Sequence, residues 1–175
     1  GKSLADAVIQ GKAVKVGILS GNQSQLGMRQ RLKSVKDKLE EAGIEISWIL
    51  SEKELDKKMR NVEYFAEQPV DTVISLDNDD TEKAVDIILN DDRISWKLYG
   101  EGRSEKLIYY LDKGTIQELA VPNEYYMGYQ SIVLAAQNIR YYTDKTEQAE
   151  VGFYMVSKDN LYDEETSRIL FPAVR

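Results

Sequence analysis

The side chains best equipped for chemistry in this sequence stand directly after short apolar runs. VISL is followed by Asp77-Asn78-Asp79-Asp80-Thr81, and AVKVGIL by Ser20-Gly21-Asn22-Gln23-Ser24-Gln25, with Arg31 close behind. ISWKLY leads into Gly100-Glu101-Gly102-Arg103, and IQELAV into Pro122-Asn123-Glu124. Carboxylates, amides and an arginine fork around a crevice suit a polyol, because every sugar hydroxyl both donates and accepts a hydrogen bond. Aromatic faces stack on the C–H surface of such ligands, and Trp48, Tyr99 and Tyr125 stand near the same run ends. Candidate ligand-binding residues are therefore Arg31, Asp77, Asn78, Gln25 and Glu101.

Each has a plainer reading beside it. Asp77 to Asp80 is also what the start of a helix prefers, since carboxylates cap its free N–H groups and offset its dipole. Arg31 stands among Arg29, Lys33 and Lys36, a pattern equally suited to a solvated helix face. The spacing after VISL further resembles motif I of the haloacid-dehalogenase-like phosphohydrolases, in which Asp77 would be a nucleophile and Asp79 an acid/base beside magnesium. That motif normally follows a first strand, whereas here it follows the third apolar run. No later acidic pair suited to the metal accompanies it.

Composition removes other chemistries. With no His and no Cys, the chain can build no Ser-His-Asp or Cys-His triad, no zinc site with those ligands and no iron–sulfur cluster. No cofactor is expected: the Gly21–Gly27 segment lacks both the Gly-x-x-x-x-Gly-Lys pattern and Gly-x-Gly-x-x-Gly. A net charge of −7 argues against nucleic acid or an anionic membrane as partner. The apolar runs fall far short of the ~20 residues that span a bilayer.

These groups need elements to position them. Strands are predicted at Ala13–Ser20, Ile44–Leu50, Val70–Leu76, Ile94–Tyr99 and Ile116–Val121. Between them lie helix-period segments: Met28, Leu32, Val35 and Leu39 up to Gly43; Leu55, Met59, Val62 and Phe65 up to Pro69; Asp80 to Leu89; and Leu107, Ile108 and Leu111 up to Gly114. A helix at Leu4–Gln10 precedes the first strand. A longer one, Tyr125–Tyr142, follows the last, then a strand-like Ala149–Ser157 and a polar tail. This alternation predicts an α/β fold, a three-layer αβα arrangement around a mostly parallel, Rossmann-like sheet. The expected organisation is one α/β lobe over residues 1–123, with 124–175 as a returning helix, strand and tail. In such sheets ligands sit outside the carboxyl ends of the strands, where the candidate residues stand.

In order and spacing the segments GKSLADAVIQG, AVKVGILSG, QSQLGMRQRLKSVKDKLEEAGIEI, DTVISLDNDDTEKAVDII, KLYGEGRSEKLIYYLDKGTIQ and VPNEYYMGYQSIVLAAQNI together resemble the C-terminal half of type I periplasmic sugar-binding proteins. Lac-repressor-type regulators share this ribose-binding fold in their effector domains. The resemblance places the family's cleft arginine on Arg31 and its polar third-strand residue on Asp77. It departs at Gly100, where ribose-type members often carry Asp and this chain has Glu101 next door, and at Pro122, where they carry Gln. The ligand set for a pentose is therefore incomplete.

The resemblance implies a non-catalytic, extracytoplasmic solute-binding component of an ABC-type sugar transporter, with a membrane permease as partner and a small sugar or polar solute as ligand. The chain starts at Gly1 without Met, and the expectation is an excised or processed piece supplying one lobe. Met127, Ile132, Leu134 and Ile139 on the long helix would then meet a missing N-terminal lobe or a second copy of the chain. The alternative is the effector-binding domain of a cytoplasmic regulator, and a less favoured one is the magnesium-dependent phosphohydrolase using Asp77 and Asp79.

Overall fold

The computed structural model describes residues 1–61, 63–141 and 152–171. Among them six strands form one sheet, β1 (Lys15–Leu19), β2 (Glu45–Leu50), β3 (Thr72–Ser75), β4 (Lys97–Glu101), β5 (Ile116–Pro122) and β6 (Phe153–Ser157), in the order β2-β1-β3-β4-β5-β6. β1 to β5 run parallel, and β6 closes the edge antiparallel to β5. Parallel neighbours need crossovers, and helices supply them: α2 (Leu26–Glu41) after β1, α5 (Asn78–Asn90) after β3 and α6 (Glu105–Lys113) after β4.

Strand alternation sorts the core into two layers. Val16 and Ile18 of β1, Ile74 of β3, Tyr99 of β4 and Ala120 of β5 pack with Leu4 and Val8 of α1 (Lys2–Gln10) and Met28, Val35 and Leu39 of α2. The intervening residues Leu19, Val73, Leu98, Leu119 and Val121 face the other way, toward Ala84 and Ile87 of α5 and Leu107 and Leu111 of α6. Burying a side chain of this size contributes about 1.5–3 kcal/mol, and both faces of the sheet gain it, so all five parallel strands are anchored on two sides.

Three details depart from the sequence-based expectation. The helix predicted through Leu55 and Phe65 is two short ones, α3 (Glu52–Lys58) and α4 (Glu63–Glu67). Lys57 and Lys58 end α3 where cations meet its carbonyl end, and the chain then re-aims to bring Phe65 edge-on to Trp48 and Trp96, with ring centres 5.9 and 5.3 Å away. β4 begins at Lys97, not Ile94, because Asp91 and Arg93 close a turn in which Ile94 N–H donates to the Asp91 carbonyl at 2.9 Å. The tail, read as a polar stretch over 158–167 finishing in an apolar run and given no element, contains α8 (Glu164–Leu170), which buries Leu170 against the second core layer. The part of the predicted last strand before Gly152 lies outside the described residues.

One close approach holds β2 to β1. The ladder pairs Val16 with Ile46 and then Gly17 with Trp48, skipping Ser47, and the Trp48 indole lies over Gly17. A Cβ on residue 17 would overlap that ring. Gly17→Ala is therefore expected to lower unfolding stability by about 1–3 kcal/mol, the usual range for overpacking, in urea denaturation followed by fluorescence. A variant as stable as the parent would show that the indole is free to move.

Candidate functional site

The carboxyl ends of β1, β3, β4 and β5 meet at one end of the sheet, and strand order reverses direction between β1 and β3. Such a switch point opens a crevice. Asp80 bridges it. Its Oδ2 accepts from Gly21 N–H, just after β1, at 3.1 Å, while its own backbone lies in the first turn of α5 after β3. The carboxylate is fully buried, Oδ1 has no hydrogen-bond partner, and Lys83 Nζ is 3.6 Å away. Burial pushes its pKa up to about 6 against the opposing pull of Lys83.

Asp77 is the N-cap of α5, where its Oδ1 accepts from the N–H groups of Asp79 at 2.9 Å and Asp80 at 3.4 Å. Asp77 also lines a cavity of about 440 Å³ together with Asn78, Glu101, Gly102, Arg103, Ser104, Pro122 and Glu124. Capping and cavity lining thus fall on one residue. Thr81 Oγ1 sits between the Asp77 carbonyl at 2.6 Å and the Glu101 carbonyl at 2.9 Å, tying the start of α5 to the end of β4. Asn78 pins the next loop: its Oδ1 accepts from Arg103 N–H at 3.1 Å, and its Nδ2 donates to Glu82 at 3.3 Å. Gly102 makes that loop possible. At φ +150° its backbone suits glycine, and a Cβ there would run into Leu107 and the Asn78 amide.

Glu101 is two residues beyond Tyr99 and so on the α1/α2 side of the sheet. There its Oε1 meets Arg31 Nη1 at 2.6 Å. Arg31 also donates to the Leu76 carbonyl at 3.2 Å, so the guanidinium joins the ends of β3 and β4. Burial raises the Glu101 pKa and Arg31 pulls it back. The pair lines a second cavity of about 250 Å³ with Gly1, Ser3, Leu4, Ala120, Pro122, Met127, Gly152 and Phe153. Glu101 and Pro122 belong to both cavities, which therefore adjoin.

Four of the five candidate residues, Arg31, Asp77, Asn78 and Glu101, are thus brought together. Gln25 is exposed at the head of α2 and lines neither cavity. Two of the three proposed aromatic platforms, Trp48 and Tyr99, are corrected. Trp48 is buried against Phe65 and Trp96, and Tyr99 is buried under α1 with its hydroxyl against Gly11. Tyr125 is 83% exposed on α7 (Glu124–Tyr141). Sequence reasoning marked Arg103 and Glu124 as strand-end residues without choosing them, yet they pair at 3.0 Å on the rim of the larger cavity. The signal was their position one loop beyond β4 and β5. Among the described residues no three acidic side chains are grouped as metal ligands, and Asp79 is exposed.

Residues 1–142 match the family model of the periplasmic binding protein domain. No curated protein sequence matches the chain. Among solved structures, a carbohydrate transporter solute binding protein from Agrobacterium radiobacter in complex with D-arabinose is 18% identical with a TM-score of 0.81, covering 97% of this chain and 61% of that one. A Caulobacter myo-inositol binding protein bound to myo-inositol is 18% identical with a TM-score of 0.80, covering 96% and 60%. A structure from Bacteroides fragilis assigned to a LacI transcriptional regulator is 14% identical with a TM-score of 0.74, covering 91% and 58%. At these identities the likeness is one of fold, and the chain spans about three-fifths of the length of each of these structures.

The buried Asp80 gives a pH test. Its folded pKa lies above the unfolded value of 3.8, so stability is fully present below about pH 4 and falls as pH rises through about 6. The loss from this group is at most roughly 3 kcal/mol, at 1.4 kcal/mol per pKa unit. Asp80→Asn is expected to flatten that part of the profile in urea unfolding at pH 4.5 and 7.5. Parallel profiles for parent and variant would show that the carboxylate is not destabilised by its burial.

Proposed function

The chain belongs to the periplasmic binding protein domain family, and from that premise we propose that it is one lobe of a two-lobed solute-binding protein that takes a small sugar or related polar solute in the cleft at its strand ends. The observation that carries this reading is the convergence of Arg31, Glu101, Asp77 and Asn78 on two adjoining cavities at the carboxyl ends of β3, β4 and β5. Arg31 offers N–H donors, Glu101 and Asp77 offer acceptor oxygens, and a hydroxyl can bridge a donor and an acceptor at once. Structural relatives bound to D-arabinose and to myo-inositol support the ligand class.

Residues 1–123 would form the lobe proper and 124–175 the segment that returns to it. α7 is the element left open: no residue from 124 to 140 is buried, with Ile132 at 72% and Ile139 at 77% exposure, Met127 exposed and Leu134 half-buried. An apolar face of that kind on an 18-residue helix suits cover by the other lobe, or by a second copy of the chain. Ligand contacts from both lobes would favour the closed form and shift a population already present. Closure would be reported to the permease of an ABC transporter on the extracytoplasmic side, with no reaction catalysed. A regulator's effector domain is the second reading, favoured by the likeness to the LacI-type structure; the residues encoded upstream of Gly1 separate the two, a secretion signal for transport and a helix-turn-helix for regulation.

Thermal unfolding of the full-length protein across a panel of pentoses, hexoses and inositols tests the proposal. A cognate sugar at one hundred times its dissociation constant adds about 2.7 kcal/mol of stability. Arg31→Ala is expected to weaken that sugar at least ten-fold by calorimetry while the variant stays folded. Failure of every sugar to stabilise the protein, or unchanged affinity in the variant, contradicts the proposal.

A further inference from the structure

The charges of the cleft carry a statement about which solutes it accepts. Arginine is the side chain best shaped to hold a carboxylate or a phosphate, through a two-pronged fork. Both arginines of the two cavities already face a glutamate of this chain. Arg31 Nη1 is 2.6 Å from Glu101 Oε1, and Arg103 Nη1 is 3.0 Å from Glu124 Oε2. Asp77 adds a third carboxylate to the wall of the larger cavity. The charged side chains lining the two cavities are therefore two arginines against three carboxylates.

We propose that Glu101 sets the charge selectivity of this cleft: by holding Arg31 it makes the site one for uncharged polyols and excludes sugar acids and sugar phosphates. The inference rests on the sugar-binding reading above and names the ligand class within it. Glu101 fits the role by position. Its side chain is 19% exposed and stands where the two cavities adjoin, so a ligand reaching either one meets it. An anion arriving at Arg31 must displace a carboxylate already placed at hydrogen-bond distance, and then sits beside that carboxylate in a partly desolvated wall. Like charges brought together there are a penalty that the neutral ligand does not meet. A hydroxyl, by contrast, accepts from the outer N–H groups of Arg31 and donates to Glu101 without parting them. Glu124 repeats the arrangement at the exposed rim with Arg103.

Calorimetric titration of the full-length protein with matched pairs tests this: D-glucose with D-glucuronate, and D-ribose with D-ribose 5-phosphate. In the parent the neutral member of a bound pair is expected to bind at least ten-fold more tightly than its anionic partner. Glu101→Gln keeps the shape and frees Arg31, and the gap is expected to close by at least ten-fold. Glu124→Gln, at an exposed position where folding is not at risk, is expected to narrow it in the same direction by about three-fold. An anion bound by the parent as tightly as its neutral partner, or a gap unchanged in both variants, overturns the assignment to Glu101 and leaves the sugar reading standing. Binding of neither member of either pair by parent or variants, together with no response to other sugars in thermal unfolding, overturns the sugar reading itself.

Discussion

A parallel sheet covered on both faces has only its strand ends free, and everything functional in this molecule follows from that. Val16 and Ile18 are committed to the helices on one side, Leu19 and Val73 to those on the other. Within β1, β3 and β4 every residue but the terminal Lys15, Lys97 and Glu101 is buried. Polar groups can gather where the ladders stop, and the direction of the parallel strands puts the ends of β1, β3, β4 and β5 together. The antiparallel β6 completes the edge and delivers Phe153 opposite Pro122, beside the smaller cavity.

At those ends the structure trades stability for arrangement. Asp80 is a carboxylate buried with one oxygen that makes no hydrogen bond, an unfavourable placement for a charge, yet it is what links Gly21 to α5 across the switch point. Asp77 and Thr81 fix the helix start against the end of β4, and Asn78 fixes the loop that follows β4. These contacts hold Glu101 in the range of Arg31. The ion pair joins α2 to two strand ends, since Arg31 also reaches the carbonyl of Leu76 just after β3. The strand ends are thus held in place by the chain's own contacts, and a ligand bound there would meet a lower ordering cost.

Much of this was legible in the sequence, and the reasons for success and failure differ. The five parallel strands follow from short Val/Ile/Leu runs, and the helices between them from apolar spacing, because both signals are local. Arg31 and Glu101 could be nominated from their places after β1 and β4. Their direct pairing was not, since it depends on the face to which Tyr99 and Glu101 point, and a shift of one residue would reverse that. The break between α3 and α4 was invisible because Leu55 and Phe65 keep a helical period; tertiary packing of Phe65 with Trp48 and Trp96 overrides it. The same cluster explains why Trp48, an aromatic near a strand end, is a core residue. Gln25 illustrates the limit of proximity in sequence: it stands at a strand end, and the chain turns it outward to solvent.

The central claim is that ligand engages the carboxyl ends of the strands around Arg31 and Glu101. Amide hydrogen exchange of the full-length protein, with and without saturating amounts of the sugar that stabilises it most, tests this directly. The account predicts slowed exchange in segments 21–31, 77–82 and 101–104, with little change elsewhere in the lobe. Protection centred instead on 63–70 and 93–96, which line the cavity of about 380 Å³ at the opposite end of the sheet, would contradict it.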